Sequence, residues 1–227
     1  TIGITSFNSE KNIMRVLNSA INQTWQNKEI IVVDDFSSDN TVKIIENYIN
    51  NFDILKFYKH KKNYGYPTAL NTIIRNSSGE YIAIFDSDDE SLNERINKQY
   101  YRFLEYSKIN KTKNIICYSN RKVINKGKIN SSQIAYAIGR DKIEPRGTFV
   151  ADFILGVKIP NKKISYGIFG SCTMFIRKST FKKVGYFDKS FRREAEHDFA
   201  IRAAFKNFHF ISVNEPLVIQ YKTTAEY

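Results

Sequence analysis

The chain has 227 residues, of which 42% are hydrophobic and 26% are charged, so it is neither a disordered segment nor a mini-domain that needs disulfides. Its net charge of +12 is typical either of a solvated basic surface or of attraction to anionic donors, lipid phosphates or acidic glycans. The apolar runs are too short to span a bilayer, and the chain shows no nucleic-acid-binding motif, so no nucleic-acid partner is expected.

Short apolar runs alternate with helical patterns through the first half of the chain. The strands are expected at Ile2–Thr5, Glu29–Val33, Leu55–Tyr58, Glu80–Phe85 and Ile115–Tyr118. Apolar spacing predicts helices between them, at Ile13–Ile21, Thr41–Ile49, Pro67–Ile74 and Ser91–Tyr106. Strand–helix repeats of this kind predict an α/β fold with a mostly parallel central sheet, whose ligands bind at the carboxyl ends of the strands.

The regular alternation stops near residue 125, which suggests two halves, 1–125 and 126–227, of one continuous domain. Residues 127–160 have no clean period. Segments with the composition of compact structure resume at Gly167–Ile176, Ser179–Val184 and Asp198–Phe205. The chain starts at Thr1 inside an apolar run and stops abruptly at Tyr227, so we interpret it as a fragment of a longer protein.

Cys117 and Cys172 lie in apolar stretches without a CxxC or Cys/His cluster. We expect two buried free thiols, which fits a reducing cytoplasm. His60 and His209 belong to no motif, and the sequence assigns them no role.

Three groups of acidic residues stand at strand ends or helix starts: Asp34-Asp35, Asp86-Ser87-Asp88-Asp89 and Glu194 to Asp198. Single acids at such places often cap helices. A cap does not explain three carboxylates within four residues, because like charges repel. A hard divalent cation, Mn²⁺ or Mg²⁺, would relieve that repulsion at Asp86 and Asp88, and substrate phosphates would complete its shell. No Walker A or GxGxxG sequence is present, which argues against P-loop and dinucleotide-binding enzymes.

Several short motifs, in order, resemble family 2 glycosyltransferases of the GT-A fold. They are Thr5-Ser6-Phe7-Asn8, Asn22-Gln23-Thr24-Trp25, Ile30–Asp35 with Ser37-Ser38-Asp39-Asn40-Thr41, Asn63-Tyr64-Gly65, and Ser78–Ala83 leading into Asp86-Ser87-Asp88-Asp89. The later half is similar through Gly170–Arg177, Gly185-Tyr186-Phe187-Asp188 and the acidic segment ending in Arg202. Each motif alone is weak, but their joint order and spacing are specific, least so across residues 126–165.

The resemblance implies a role for most of these residues. Thr5 and Phe7 would line a nucleobase pocket, Asp35 would accept a hydrogen bond from the base or ribose, and Asp34 would shape the pocket. Asp86, Ser87 and Asp88 would bind the donor, with Asp88 as the main metal ligand. The plainer alternatives are core packing for Phe7 and a strand-end turn for Asp35.

The family's general base is usually the Asp of a Glu-Asp pair, and this chain has Ala195-Glu196 at that place. Glu196 is therefore the first candidate for the base, because a carboxylate within hydrogen-bond reach can accept the acceptor's proton. Asp198 and Glu194 remain rivals. His197 should point to another helix face than Glu196, and we expect it to pack or contact the acceptor.

The implied activity is inverting transfer of a sugar from a nucleotide-diphosphate donor, UDP by preference, to a hydroxyl of a carbohydrate or lipid-linked acceptor. Bacterial surface polysaccharide synthesis is the expected setting, in the cytoplasm with peripheral contact to the inner membrane. Residues 126–165 could be a lid or an acceptor-recognition insertion. The main alternative is a non-catalytic sugar-nucleotide or glycan-binding module of the same fold; a receiver-like domain and a sugar-phosphate nucleotidyltransferase fit the motifs poorly.

Overall fold

The computed structural model describes residues 1–125, 132–140, 145–157 and 166–222. The strands are β1 (Ile2–Ser6), β2 (Ile30–Asp34), β3 (Leu55–Lys59), β4 (Tyr81–Asp86), β5 (Asp89–Ser91), β6 (Ile115–Asn125), β7 (Ser132–Ala135), β8 (Phe175–Arg177) and β9 (His209–Lys222). The helices are α1 (Ile13–Ile21), α2 (Thr41–Ile49), α3 (Tyr66–Asn76), α4 (Arg95–Asn110), α5 (Thr148–Ile154), α6 (Thr180–Val184) and α7 (Ala195–Phe205), and Ser171–Thr173 forms a 3-10 turn.

The strands form one sheet in the order β3-β2-β1-β4-β8-β6-β9-β5, with β7 on β6. β1, β2, β3 and β4 are mutually parallel, as the alternating pattern predicted. The register pairs Ser6 with Asp34 and Thr5 with Asp86. Because parallel strands end at the same edge of a sheet, the residues that follow β1, β2 and β4 are brought together.

Helices cover both faces of the sheet. Ile82 and Ile84 pack into a core with α3, α5 and α7, whereas Ala83 and Phe85 pack into a second core with α1, α2 and α4. This alternation follows from the two-residue period of a strand, which sends successive side chains to opposite faces. The predicted α/β architecture with a central sheet flanked by helices is confirmed.

The second half of the chain makes the sheet mixed. β8 is antiparallel to both β4 and β6, and β9 runs parallel to β6. Strands from both sides of residue 125 thus share one sheet; the boundary itself stays a prediction. Of the expected 126–165 insertion, residues 126–131, 141–144 and 158–165 lie outside the described residues, and the rest includes β7 and α5.

The predicted helix from Ser91 starts too early. Asp89–Ser91 is instead strand β5, antiparallel to β9, and α4 begins at Arg95. The pairing partner is more than 100 residues away, at Val218–Gln220, so no local pattern could reveal it. Both cysteines are buried free thiols, as expected. In the described part of the chain, no helix combines the length and apolar character needed to cross a membrane.

Candidate active site

A cleft of about 440 Å³ opens at the carboxyl ends of β1, β2 and β4. Its walls include six of the residues predicted to bind a donor: Thr5, Phe7, Asp35, Asp86, Ser87 and Asp88. Phe7 is 49% exposed, so its ring is available for stacking and is not part of the core. The hydroxyl groups of Ser87 and Ser9 are 2.8 Å apart and join the β4 end to the β1 loop.

Asp34 and Asp35 do different things although they are neighbours. Asp34 is buried outside the cleft lining and accepts hydrogen bonds from the backbone N–H of Ser37 at 2.8 Å and from the Ser6 hydroxyl at 3.1 Å. It therefore fixes the loops that carry the cleft. Asp35 lines the cleft itself and accepts from the backbone N–H groups of Tyr64 at 2.9 Å and Gly65 at 2.7 Å.

Gly65 supports this contact through its backbone. Its φ of +89° lies in the region that favours glycine, at the point where the loop turns into α3. The sequence signal was the Asn63-Tyr64-Gly65 motif, and the structure supplies its physical reason.

His60 is a residue to which the sequence assigned no role. Its Nδ1 lies 2.6 Å from Oδ1 of Asp35, and its Nε2 lies 2.9 Å from the Thr72 hydroxyl. Because the carboxylate only accepts hydrogen bonds, Nδ1 donates. His60 therefore ties Asp35 to helix α3. Nothing local in the sequence marks this contact, because the two residues are 25 positions apart.

Two of the acidic residues at the end of β4 and just after it lie close to Cys172. Ligand atoms of Asp86, Asp89 and Cys172 all lie within 4.8 Å of one another. Asp89 is 3% exposed, and neither of its carboxylate oxygens accepts a hydrogen bond from a nitrogen or oxygen donor among the described residues. Asp88 is exposed at the cleft wall, and its backbone carbonyl accepts from Arg15 at 2.5 Å. The pair Asp86 and Asp88 as metal ligands stays a prediction.

The electrostatics of this cluster favour a cation. Burial and the neighbouring Asp88 and Glu196 charges raise the pKa of Asp86 to about 6, against a hydrogen bond from Tyr66 that lowers it. Burial together with Asp86 and Asp88 raises the pKa of Asp89 to about 8. These carboxyl groups ionise reluctantly because their negative charges are close together and shielded from water.

A buried guanidinium lies behind the cluster. Arg95 is fully buried and donates to the Ser91 hydroxyl at 2.8 Å, to the Gln99 side chain at 3.1 Å and to the Ile84 carbonyl at 3.0 Å. Burial lowers its pKa to about 10, while Asp86 and Asp89 are among the charges that oppose this shift. Nothing in the sequence singles out Arg95, because an Arg in a helix's first turn is ordinarily a surface residue.

Tyr66 connects the two halves of the site. Its hydroxyl donates to Oδ1 of Asp86 at 2.7 Å and lies 2.7 Å from the hydroxyl of Ser171. Ser171 belongs to the 3-10 turn that precedes β8, whereas Asp86 ends β4. One phenol therefore joins the carboxylate at the cleft to the turn from the second half of the chain.

Two of the three predicted candidates for the general base, Glu196 and Asp198, have different surroundings. The charge of Glu196 is close enough to raise the pKa of both Asp86 and Tyr66. Asp198 instead accepts from Arg202 at 2.7 and 3.0 Å, and Arg202 also donates to the Val184 carbonyl at 2.7 Å. Asp198 is thus occupied in anchoring α7, and Glu196 as the general base stays a prediction.

Helix α7 starts at an unusual backbone position. Glu194, just before it, has a φ of +63°, and its carboxylate contacts His197. Left-handed backbone at a residue with a side chain costs about 1 kcal/mol or more and is concentrated at functional sites. Glu196 also lines a second cavity of about 690 Å³, between α7, α5 and the Tyr166–Gly170 segment.

Residues 1–185 match the family model described as Glycosyl transferase family 2. The chain belongs to that family. An uncharacterized glycosyltransferase of Rickettsia typhi is 28% identical over 200 residues, covering 87% of this chain and 56% of that protein. Matches to the curated relatives cover from 13% to 56% of their own lengths, so the chain corresponds to part of each.

Solved structures place this family 2 chain in the GT-A fold. The structure of Staphylococcus aureus TarS residues 1–349 in complex with UDP-GlcNAc matches with a TM-score of 0.72 and 21% identity, over 99% of this chain and 59% of that one. GalNAc-T7 with UDP, GalNAc and Mn²⁺ matches with a TM-score of 0.71 and 16% identity, over 100% of this chain and 44% of that one. The resemblance stated from the motifs is therefore confirmed at the level of family and fold.

Proposed function

We propose that this chain is the catalytic domain of an inverting glycosyltransferase that moves a sugar from a UDP-sugar to a hydroxyl group. The observation that carries the proposal is the closeness of Glu196 to Asp86. These carboxylates line different cavities, Glu196 the second cavity and Asp86 the cleft, yet the negative charge of Glu196 is close enough to raise the pKa of Asp86. A donor in the cleft and an acceptor in the second cavity would meet at that junction.

The residues at the junction suit a divalent cation. Both carboxylate oxygens of Asp89 are buried and accept no hydrogen bond from a nitrogen or oxygen donor among the described residues, and Asp86 lies beside them. Mn²⁺ and Mg²⁺ prefer oxygen ligands to the Cys172 sulfur, so Asp86 with Asp88 or Asp89 would hold the ion. When bound, such an ion neutralises charge on a leaving diphosphate. The Mn²⁺ in the GalNAc-T7 structure is consistent with this choice.

The chain's own residues account for donor binding. Phe7 offers a ring face to the base, and Asp35 offers carboxylate oxygens held by His60 and by the N–H groups of Tyr64 and Gly65. Uracil N3–H is a donor that a carboxylate accepts, which supports UDP over CDP. Stacking on one side and a fixed acceptor on the other would orient the nucleotide toward Asp86.

Glu196 would accept the proton of the acceptor hydroxyl as that oxygen attacks the anomeric carbon. Attack from the second cavity on a donor held in the cleft would be in line with the leaving diphosphate and would invert the anomeric centre. Tyr66 would keep Asp86 in place through its 2.7 Å hydrogen bond while charge builds on the leaving group.

Glu196→Gln tests the proposal, because the amide keeps the shape of the side chain and cannot take a proton. We expect Mn²⁺-dependent UDP binding to be unchanged in calorimetry and UDP release from UDP-sugars to fall by about 100-fold or more. Glu46→Gln, at an exposed ion pair with Lys59, is the matched control and should leave both unchanged.

A Glu196→Gln variant that releases UDP at the wild-type rate would refute Glu196 as the base. Asp86→Asn should abolish Mn²⁺-dependent binding of UDP. If the wild-type protein binds UDP but never transfers sugar, the non-catalytic sugar-nucleotide or glycan-binding module becomes the better account.

The cellular setting is also a proposal. The first half, 1–125, would bind the donor and the second half, 126–227, the acceptor. The acceptor would be a carbohydrate or a lipid-linked saccharide of a bacterial surface polysaccharide. The chain would work in the cytoplasm. Its net charge of +12 would attract it to anionic lipid at the inner membrane.

A further inference from the structure

The second cavity is lined by charged side chains that sugar transfer to a hydroxyl does not by itself require. Its lining combines aromatic rings with two arginines, Arg121 and Arg140, and one carboxylate, Glu196. Two guanidinium groups in one cavity are suited to a carboxylate or phosphate, which they bind with paired N–H donors.

Arg140 is held in place but has donors to spare. Its Nη1 donates to the carbonyl oxygens of Ala137 and Tyr166, both at 3.1 Å, and its guanidinium lies 5.1 Å from the centre of the Tyr136 ring. These contacts use one of its three nitrogens. Among the described residues, no carboxylate lies within ion-pair distance of Arg140.

Arg121 is held in a similar way. Its Nη1 donates to the Cys172 sulfur at 3.2 Å, a weak acceptor, and its Nε is buried without a hydrogen-bond partner among the described residues. Its charge lowers the pKa of Asp89, whose net shift is nevertheless upward, to about 8. A guanidinium whose hydrogen bonds are so poorly satisfied favours an anionic ligand in the cavity that it lines.

The rest of the lining would hold a sugar ring. Phe153 and Tyr166 have ring centres 4.6 Å apart, and Phe169 lies 4.6 Å from the His197 ring. The Tyr166 hydroxyl is buried and also lacks a partner among the described residues. Aromatic faces bind the apolar face of a sugar.

We infer that this cavity binds an anionic acceptor saccharide, one that bears a carboxylate or a phosphate beside the reacting sugar hydroxyl. The anionic group belongs with the arginines, because Glu196 would repel it, and the reacting hydroxyl belongs with Glu196. The inference rests on the proposed function and adds the class of acceptor. The +12 charge of the chain would attract the same ligands over a longer range.

The test uses three fluorescently labelled tetrasaccharides, with UDP and Mn²⁺ present to fill the donor cleft. The first alternates glucuronate and N-acetylglucosamine, the second is its carboxyl-reduced neutral counterpart, and the third is the neutral compound with one 6-phosphate. Affinity for the protein is read by fluorescence anisotropy. We expect the carboxylate or the phosphate compound to bind at least about tenfold more tightly than the neutral one, as a charge-assisted hydrogen bond predicts. Which of the two binds more tightly identifies the anionic group.

Arg140→Gln should remove that preference and leave UDP affinity unchanged. Arg75→Gln is the matched control, because it removes the same charge from an exposed arginine outside the cavity lining and should keep the preference. If Arg140→Gln proves unstable, Arg140→Lys is measured in its place. It keeps the charge and should retain part of the preference for the anionic compounds.

Equal binding of all three compounds by the wild-type protein, or binding of none while UDP binds, would overturn the inference. A preference for the anionic compounds that survives in Arg140→Gln would also overturn it. So would a loss of UDP affinity in Arg140→Gln as large as the loss of saccharide affinity, because Arg140 would then belong to the donor site. Because UDP binding is measured separately, failure here is distinguishable from failure of the proposed function.

Discussion

Replacing Tyr66 by phenylalanine removes one hydroxyl group and leaves the ring in place. That hydroxyl lies 2.7 Å from Oδ1 of Asp86 and 2.7 Å from the Ser171 hydroxyl, so one substitution breaks the contact between the two halves of the site. A hydrogen bond to a charged group contributes about 1.5–3 kcal/mol. We therefore expect Mn²⁺-dependent UDP affinity to fall by about 10- to 100-fold at pH 7.5.

The pH dependence of UDP binding provides a second, independent test of the role of Tyr66. The Tyr66 hydrogen bond lowers the pKa of Asp86, while burial raises it to a net value of about 6. Without the hydroxyl the pKa moves higher. Binding that needs the ionised carboxylate is lost as the pH falls through this pKa, so Tyr66→Phe should lose UDP binding at a higher pH than the wild type.

Calorimetric titration of UDP with Mn²⁺ between pH 5 and pH 8.5 measures both effects. Tyr48→Phe is the matched control: its hydroxyl also donates over 2.7 Å, but to Asn18, outside the cleft. It should bind UDP normally. Wild-type affinity and an unshifted pH midpoint in Tyr66→Phe, with the protein folded, would refute the assignment of Tyr66 as the residue that positions Asp86.

Three further predictions concern stability and nucleotide choice. The folded-state pKa values of Asp86, about 6, and Asp89, about 8, both exceed 3.8, so stability present at low pH is lost as the pH rises through them. Urea unfolding without metal should show the free energy of unfolding falling by at most about 1.4 kcal/mol per pH unit for each group. Added Mn²⁺ should reduce this fall. A free energy of unfolding that rises from pH 5 to 8 would contradict the prediction. His60→Ala should reduce the preference for UDP over CDP by about tenfold in competition binding, because Asp35 loses its 2.6 Å donor, whereas His60→Asn keeps a donor and should retain most of it. An unchanged ratio in His60→Ala would remove His60 from base recognition. Arg95→Met leaves Ser91, Gln99 and the Ile84 carbonyl without donors and should cost about 3 kcal/mol in urea unfolding; a loss below about 1 kcal/mol would show that water replaces the guanidinium.

The sequence by itself determined the first half of the fold. Strand–helix alternation predicted β1 to β4 and α1 to α3 with bounds close to those observed, because each element there packs through a regular apolar pattern. It also predicted that residues at or just after the ends of β1, β2 and β4 would lie together, and six of them line one cleft, since residues that directly follow parallel strands must meet at one edge. Family membership followed from the order and spacing of the motifs and is confirmed over residues 1–185.

Only the tertiary structure decided which side chains touch. β5 depends on pairing with β9, His60 on its contact with Asp35, and Tyr66 on bonds to Asp86 and to Ser171, which is 105 residues away along the chain. The same holds for the ion pair of Arg202 with Asp198, which Glu196 in the same helix turn does not share. Local patterns record the period of a helix or strand, but contacts between distant segments depend on how those elements pack, and this is why the sequence could not supply them.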